Sequence, residues 1–468
     1  MKPRGAWIAA LVALAARLAF VAWAAPRFPA AADGTYYDAI ARRIASGDGY
    51  TWAWPDGAVT YAAHYPIGYP ALLSVAYAVL GAHPWSAMLV NALLGALAAA
   101  ATHRLLAEGA GPKAALIGAL VVALHPALVP YTAAIMTEGV TAALLAIAAA
   151  LGVVARGAPR PALARAAAGI ALGMATLVRP QCIVLAPLLG ALAVPAATAW
   201  TRRLRASVAV TAIAIACCAP WTVRNCVRMH RCALVSVNGG WNLLIGAQTA
   251  SGAWAPVDVP LACRTVWDEA EKDACFDRAA RAEIAAAPVA WATRAGAKLA
   301  ATFDYFGAAP WYLHASNPGA FDDRAKTALG AVETLVSRVL LLCAMLAVAR
   351  YDGPRPRARW ALLGLGAVAA FTVHGWVGYV ALGLAPLLLG RRPLARAPLL
   401  LPWTSALLLT TAAVHAVFFG AGRYGLVVAP FVAAVAFVRA KPIPSVATAS
   451  RARSASNDSS SFVAAARS

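Results

Sequence analysis

Long apolar blocks separated by short polar linkers dominate the hydrophobic pattern of this chain. Most blocks contain about 20 residues, the length of helix that crosses a hydrocarbon core of about 30 Å. They lie at about residues 1–25, 85–104, 114–130, 133–155, 164–179, 181–199, 206–223, 331–349, 360–375, 376–390, 397–416 and 422–438. The pattern predicts an all-α polytopic membrane protein with about 12 transmembrane helices. A signal peptide is the alternative for the first block, but that block is long and shows no clear small-residue cleavage site.

The composition excludes most soluble classes of protein. Charged residues make up 13% of the 468 residues and hydrophobic residues 62%, whereas a soluble domain carries about 25% charged residues. The net charge of +21 would suit a nucleic-acid partner, but the basic residues occur in short runs such as 202–205 and 391–392. The positive-inside rule describes this distribution, so we reject nucleic-acid binding.

The basic linkers predict an orientation in the membrane. Each linker that alternation places inside carries at least two basic residues, and these linkers are 104–113, 156–165, 202–205, 350–359 and 391–396. We therefore expect a multi-pass protein of the inner (plasma) membrane with both termini in the cytoplasm. The transmembrane domain would span residues 1–440, and the Ser-, Ala- and Arg-rich tail 441–468 is predicted to be disordered and cytoplasmic.

Two long segments then face away from the cytoplasm, at about residues 26–84 and 224–330. They hold 14 of the 19 acidic residues, so we expect the polar chemistry of the protein in these external loops. The apolar stretch from Gly68 to Gly81 is predicted to be a helix at the interface. Counting it as a span would invert every later loop and break the charge rule.

Four of the eight cysteines lie in the second external loop, namely Cys226, Cys232, Cys263 and Cys275. In an oxidising compartment they could form two disulfides, with local pairing as one of three possible connectivities. A zinc site is the alternative, but the short Cys-x-x-Cys pairs typical of such sites are missing.

Two carboxylates are candidates for chemistry. Asp33, the first carboxylate after the first block, could act as a general base on an acceptor hydroxyl or cap the helix that begins beside it. Glu138 lies at the start of a predicted span, where an ionisable group costs about 2.5–3.5 kcal/mol and indicates a functional site. The alternative for Glu138 is a wet glutamate at the interface.

Three arginines at predicted outer helix ends, Arg179, Arg224 and Arg423, run against the positive-inside trend. A guanidinium group binds phosphate through two parallel hydrogen bonds, so these residues could hold a lipid-linked phosphate. Snorkelling to lipid headgroups is the alternative. His64 is either a structural hydrogen-bond donor or a substrate contact.

The common nucleotide and hydrolase motifs are missing from the sequence. It has no Walker loop, no dinucleotide-binding glycine motif, no His-Glu-x-x-His and no Gly-x-Ser-x-Gly. We therefore expect no soluble nucleotide cofactor. A donor carried by a lipid is then one of the few ways to drive a reaction outside the membrane.

Taken in order, several short segments resemble the GT-C class of membrane glycosyltransferases. The chain is similar to bacterial glycosyltransferase family 39, to the protein O-mannosyltransferases and to the lipid A aminoarabinose transferases. The segments are Asp33 with Tyr36-Tyr37, Pro66-Ile67-Gly68-Tyr69-Pro70, Met136-Thr137-Glu138, Leu177-Val178-Arg179-Pro180, Pro220-Trp221-Thr222-Val223-Arg224-Asn225, Asn238 to Gly246, and Arg423-Tyr424 followed by Pro430.

The resemblance implies a GT-C-like bundle and an inverting transfer of a sugar from a polyprenyl-phosphate donor to a lipid, glycan or protein acceptor. In this family the loop aspartate is the catalytic base, which implies that role for Asp33. Arg179, Arg224 and Arg423 become candidate contacts of the donor phosphate, with His64, Glu138 and Tyr424 as further substrate contacts. The arrangement requires no metal ion.

Two departures from the family bear on substrate contacts. Many relatives have Asp-Glu where this chain has Asp33-Gly34, so a second loop carboxylate is missing unless Asp38 replaces it. A phosphate-binding lysine or arginine near the Gly68-Tyr69-Pro70 stretch is also missing. The alternative function is a transporter or flippase of lipid-linked or small polar substrates, which would be expected to show internal repeats; no obvious repeat relates the two halves.

Overall fold

The computed structural model describes residues 4–304 and 307–439. These residues form a mostly helical protein, and the predicted tail 441–468 lies outside them. The α-helices, α1 to α21 in chain order, are Arg4–Ala24, Asp33–Ala45, Gly68–Leu80, Pro84–Gly109, Pro112–Ala123, Thr137–Gly157, Pro161–Val178, Ala186–Leu192, Trp200–Arg228, Gly239–Gln248, Leu261–Arg264, Glu269–Ala286, Pro288–Thr293, Ala295–Phe303, Ala308–Ser316, Asp323–Ala349, Pro356–Ala369, Trp376–Leu384, Arg391–Arg396, Leu400–Val417 and Ala429–Val435.

Shorter elements complete the described residues. Strands β1 (Thr51–Ala53) and β2 (Val59–Tyr61) form an antiparallel hairpin with Thr51 opposite Tyr61. The 3₁₀ helices are Pro130–Ala133, Pro180–Leu185, Ala385–Leu389 and Gly422–Val427.

The helices confirm the predicted fold class but not the count of 12 spans. Within the described residues, seven helices are long and apolar enough to cross a membrane, namely Arg4–Ala24, Pro84–Leu106, Thr137–Gly157, Pro161–Val178, Trp200–Arg228, Asp323–Ala349 and Leu400–Val417. The other predicted spans contain shorter or interrupted helices. Proline is one cause, because a proline nitrogen has no hydrogen to donate and its ring disfavours a continuous helix. Pro187 and Pro386, for example, each lie in the first turn of a short helix within a predicted span.

Helix α6 lies at the centre of the bundle, in contact with α4 and α7. Its buried face is rich in alanine, including Ala142, Ala146 and Ala149, and small residues let helix backbones approach closely inside a membrane. The outward face of α1 instead exposes Trp7 and Leu11, at 66% and 63% of their surface. Apolar side chains on that face are suited to contact with lipid.

The two predicted external loops fold into short helices that contact each other. The first loop contains α2, the hairpin and α3; the predicted interfacial stretch is α3, a helix of 13 residues. The second contains α10 to α15. The cysteines of this loop are paired as Cys226–Cys232 and Cys263–Cys275, with Cα–Cα distances of 4.2 and 5.8 Å. This is the local pairing among the three possible connectivities.

Candidate active site

Asp33 is the first residue of α2, and its side chain does not cap that helix. The residue before it, Ala32, occupies the cap position with a φ of 50° and makes no side-chain cap hydrogen bond. A positive φ is unfavourable for a residue with a Cβ, so this turn is strained. The Asp33 carboxylate instead accepts a hydrogen bond from Arg423 at 2.7 Å and one from the Tyr65 hydroxyl at 3.4 Å. The helix-cap interpretation of Asp33 was wrong.

Glu138 is buried, with 1% of its surface exposed, at the start of α6. One carboxylate oxygen lies 2.5 Å from Nη2 of Arg179 and 3.4 Å from Nε of Arg423. The other oxygen accepts a 2.8 Å hydrogen bond from the Tyr131 hydroxyl. The interpretation of Glu138 as a wet interfacial residue was therefore wrong. Breaking a buried ion pair is costly, so this glutamate holds two guanidinium groups in place.

Arg179 and Arg423 point into the protein and not toward lipid headgroups. Arg179 also donates from Nε to the Thr137 hydroxyl at 3.1 Å, and its guanidinium lies 4.8 Å from the centre of the Tyr424 ring. His415 stacks on that ring at 4.3 Å. A guanidinium group has five N–H donors, and these contacts engage only some of them. Nε of Arg423 is buried beside the Glu138 carboxylate in an ion pair that lacks hydrogen-bond geometry.

His64 lies beside Asp33 as a neutral group. Burial lowers the pKa of His64 to about 4, while the nearby Asp33 carboxylate acts in the opposite direction. Burial and Asp33 both raise the pKa of the Tyr65 phenol, so Tyr65 keeps its proton and donates a hydrogen bond to the Asp33 carboxylate.

Arg224 lies apart from this cluster. Its guanidinium donates to the backbone oxygens of Ala62 at 2.8 Å and Tyr50 at 2.9 Å, and it lies 4.7 Å from the Trp221 ring. Its donors thus hold the first external loop. We therefore withdraw Arg224 as a candidate phosphate contact. The sequence could not distinguish it from Arg179, because both end a helix on the same predicted side.

Gly34 leaves no room for a second loop carboxylate. A Cβ on this residue would lie 2.8 Å from the backbone oxygen of Ile135 and 3.0 Å from the Tyr312 hydroxyl. Asp38 does not replace the missing carboxylate, because it accepts hydrogen bonds from Tyr77 at 2.6 Å and Arg42 at 2.8 Å. Asp33 is thus the aspartate of α2 that reaches the cluster.

A cavity of about 350 Å³ opens beside the cluster. Six of the residues predicted from sequence line it, namely Asp33, His64, Glu138, Arg179, Arg423 and Tyr424. A narrow cleft continues from it between the 3₁₀ helix Pro180–Leu185 and α20. The cleft has a volume of only about 30 Å³, and both apolar side chains, such as Leu185 and Leu407, and polar ones, such as Gln181, line it. Tyr65, His415 and Trp254 also line the main cavity and were not predicted, because neither their type nor their spacing sets them apart from structural aromatic residues.

A second cavity, of about 730 Å³, also contains Asp33 and Arg423. Its wall includes the aromatic residues Tyr36, Trp254 and Trp311. Asp33 and Arg423 therefore lie where the two cavities approach each other. In residues 4–304 and 307–439 no group of three His, Cys, Asp or Glu side chains is placed to hold a metal ion.

Comparison with known proteins gives a family match over part of the chain. Residues 64–223 match the family described as dolichyl-phosphate-mannose-protein mannosyltransferase. The match confirms the resemblance over a stretch that contains His64, Glu138 and Arg179 but ends before Arg423. A search of curated proteins gave no match.

Several solved structures are similar at low sequence identity. The archaeal oligosaccharyltransferase AglB from Archaeoglobus fulgidus, in complex with an inhibitory peptide and a dolichol-phosphate, has a TM-score of 0.45 and 15% identity, over 92% of this chain and 49% of that one. ArnT from Cupriavidus metallidurans has a TM-score of 0.41 in its apo state and 17% identity, over 91% and 77%. The chain spans about half the length of the archaeal protein.

Proposed function

We propose that this protein is a glycosyltransferase that moves a sugar from a polyprenyl-phosphate donor to a hydroxyl acceptor on the extracytoplasmic face of the plasma membrane. The observation that carries the proposal is the position of Asp33. Its carboxylate lines both cavities and is bonded to Arg423, whose guanidinium group also faces both. A base and a phosphate-binding group thus stand together where two substrates could meet.

The smaller cavity has the features of a site for the donor headgroup. In the part of the chain that the structure describes, no hydrogen bond engages Nη1 of Arg179 or Nη1 of Arg423. Guanidinium groups bind phosphate through paired, charge-assisted hydrogen bonds. The family match supports this assignment, since its description names dolichyl-phosphate-mannose.

The larger cavity would admit the acceptor. Its volume of about 730 Å³ falls in the range of about 300–1,000 Å³ that is typical of small-molecule sites. An acceptor hydroxyl reaching Asp33 from this cavity would face a donor held in the other one. This arrangement favours attack from the side of the sugar opposite to the phosphate, and therefore inversion at the anomeric carbon.

The proposed reaction is a single displacement. The acceptor oxygen forms a bond to the anomeric carbon while the bond from that carbon to the phosphate oxygen breaks. The Asp33 carboxylate takes the hydroxyl proton, and the polyprenyl phosphate leaves with the electron pair of the broken bond. General-base catalysis contributes typically about 10²–10⁴-fold to such a rate. Arg179 and Arg423 would stabilise the negative charge that grows on the leaving phosphate.

The proposal can be tested with purified protein in lipid nanodiscs. We would supply labelled polyprenyl-phosphate hexoses and, as the control, the matching nucleotide sugars, each with membrane-derived lipids, glycans and hydroxyl-bearing peptides. The expected result is a labelled product that forms from a lipid-linked donor and not from a nucleotide sugar, with inverted anomeric configuration by NMR. Transport of the intact donor across the bilayer without any product, or transfer from the nucleotide sugar, would overturn the proposal.

A further inference from the structure

The backbone of Ala62 to His64 in the first external loop is held by residues that lie much later in the chain. One oxygen of the Glu269 carboxylate accepts hydrogen bonds from the backbone nitrogens of Ala63 at 2.5 Å and His64 at 2.9 Å. The backbone nitrogen of Val237 donates to the Ala63 oxygen at 2.9 Å. Together with the bond from Arg224 to the Ala62 oxygen, these contacts fix the course of the loop.

The fixed segment leads directly into the active-site cavity. His64 and the next residue, Tyr65, both line it. The Tyr65 hydroxyl donates to Asp33, and its ring packs against Tyr36 and Tyr37 at 5.1 and 5.2 Å between ring centres. One of the two hydrogen bonds to the Asp33 carboxylate thus comes from Tyr65, whose backbone is fixed one residue earlier and, at its own oxygen, by the Tyr50 hydroxyl at 2.5 Å.

Glu269 itself lies outside the residues that line the cavity. It is the first residue of α12, whose N-terminus is capped by Asp268 through hydrogen bonds to the backbone nitrogens of Ala270 and Glu271. Cys275 lies on the same helix and is bonded to Cys263. Glu269, a residue of the second loop, therefore holds the part of the first loop that carries His64. Its helix, α12, is joined by a disulfide to the segment before it.

We propose that Glu269 is a positioning residue for the transfer reaction: by holding the backbone of Ala63 and His64 it keeps Tyr65 in hydrogen-bond reach of Asp33. This inference rests on the proposed function. A displacement of about 1 Å in a catalytic arrangement can lower a rate about 100-fold. Loss of the Tyr65 hydrogen bond would also disfavour the ionised form of Asp33, since that bond stabilises a carboxylate.

The test compares Glu269→Ala, Glu269→Gln and the control Glu271→Ala, a neighbour on the same helix that is exposed to solvent. Glutamine keeps an oxygen that can accept both backbone hydrogens, whereas alanine keeps none. We expect Glu269→Ala to lower kcat by about 10–100-fold and to move the acidic limb of the pH–rate profile to higher pH. Glu269→Gln should keep most of the rate, and Glu271→Ala should match the wild type.

Hydrogen exchange, read by mass spectrometry, measures how well the backbone of the peptide that contains Ala62 to Tyr65 is protected. This measurement does not depend on activity. Faster exchange in Glu269→Ala, together with a slower reaction and a shifted pH profile, supports the positioning role. A wild-type kcat and pH profile in Glu269→Ala, with faster exchange or without it, would overturn that role and leave the proposed function intact. Absence of transfer by the wild-type protein from every donor would instead overturn the proposed function, and the positioning role with it.

Discussion

Two inward-facing clusters of arginine and glutamate within residues 4–304 and 307–439 differ in what surrounds them. In one, Glu138 pairs with Arg179 and Arg423 beside the cavity that Asp33 lines. In the other, Glu108 accepts hydrogen bonds from Arg156 at 2.6 Å and from the backbone nitrogen of Leu399 at 2.6 Å. Arg156 also donates to the Leu192 oxygen at 2.7 Å, and the cluster joins four segments of the bundle, namely α4, α6, α8 and the start of α20.

The difference lies in the donors and acceptors that remain for a ligand. Both oxygens of Glu108 are engaged by protein groups, and neither Glu108 nor Arg156 lines a cavity that contains Asp33. Arg423, by contrast, lines both cavities that contain Asp33. In the described residues its hydrogen bonds, to Asp33 and to the Tyr424 hydroxyl, come from Nη2 alone, so Nη1 stays available to a ligand. The presence of an arginine–glutamate pair is therefore a poor guide to a ligand site, and donors that remain available beside a cavity are a better one.

The largest expected effect follows from replacing the base. Asp33→Asn keeps a hydrogen-bond acceptor for Arg423 but cannot take a proton, so transfer should fall by about 10²–10⁴-fold. Asp38→Asn is the matched control, since Asp38 lies on the same helix and is bonded to Tyr77 and Arg42. Initial rates with labelled donor, normalised to folded protein, measure both variants. Equal rates in the two variants would show that Asp33 has no special role.

The second-largest effect is expected at Glu138, and Glu108 of the other cluster serves as the comparison. Glu138→Gln should lower transfer by about 100-fold, comparable to the loss of one preorganised electrostatic contact, because Arg179 and Arg423 lose the carboxylate that orients them. Glu108→Gln should lower the thermal midpoint of unfolding while the rate per folded molecule stays near that of the wild type. A lower rate per folded molecule in Glu108→Gln would break the distinction between the clusters.

The smallest effect concerns the neutral histidine of the site. Because the pKa of His64 falls to about 4 in the folded protein, against about 6.5 in an unfolded chain, His64 opposes unfolding above pH 6.5. This contribution, no more than about 3 kcal/mol, is lost as the pH falls toward 4. The difference in unfolding free energy between wild type and His64→Gln, measured with denaturant from pH 8 to 4, should shrink in that window. A difference that is independent of pH would mean that His64 ionises normally.

The sequence could predict which residues lie near one another for two reasons. The charge of the linkers predicts on which side of the membrane a residue lies, and the ends of the helices predict its depth. Asp33 was placed in the first external loop, and Glu138, Arg179 and Arg423 at outer helix ends. All four meet in one cluster. The same reasoning placed Arg224 there wrongly, because depth and side carry no information on the direction of a side chain. That direction depends on the tertiary contacts with Ala62 and Tyr50.

The fold, like the site, was predictable only in part. The hydrophobic pattern located the helices, but proline residues and 3₁₀ segments shorten several of them, so the number of spans did not follow from block length. The missing second carboxylate at Gly34 was visible in the sequence, whereas its physical cause was not. That cause is the approach of the Ile135 backbone, which belongs to a segment about 100 residues away.

The central claim is that the unused donors beside Asp33 hold the donor phosphate, and binding of a polyprenyl phosphate tests it most directly. We would measure the Kd of labelled undecaprenyl phosphate for wild type, Arg423→Gln and Arg156→Gln in nanodiscs. A charge-assisted hydrogen bond is worth about 1.5–3 kcal/mol, so Arg423→Gln should weaken binding by about 10–100-fold and Arg156→Gln should leave it unchanged. Equal affinity in all three proteins, or equal weakening in the two variants, would contradict the account.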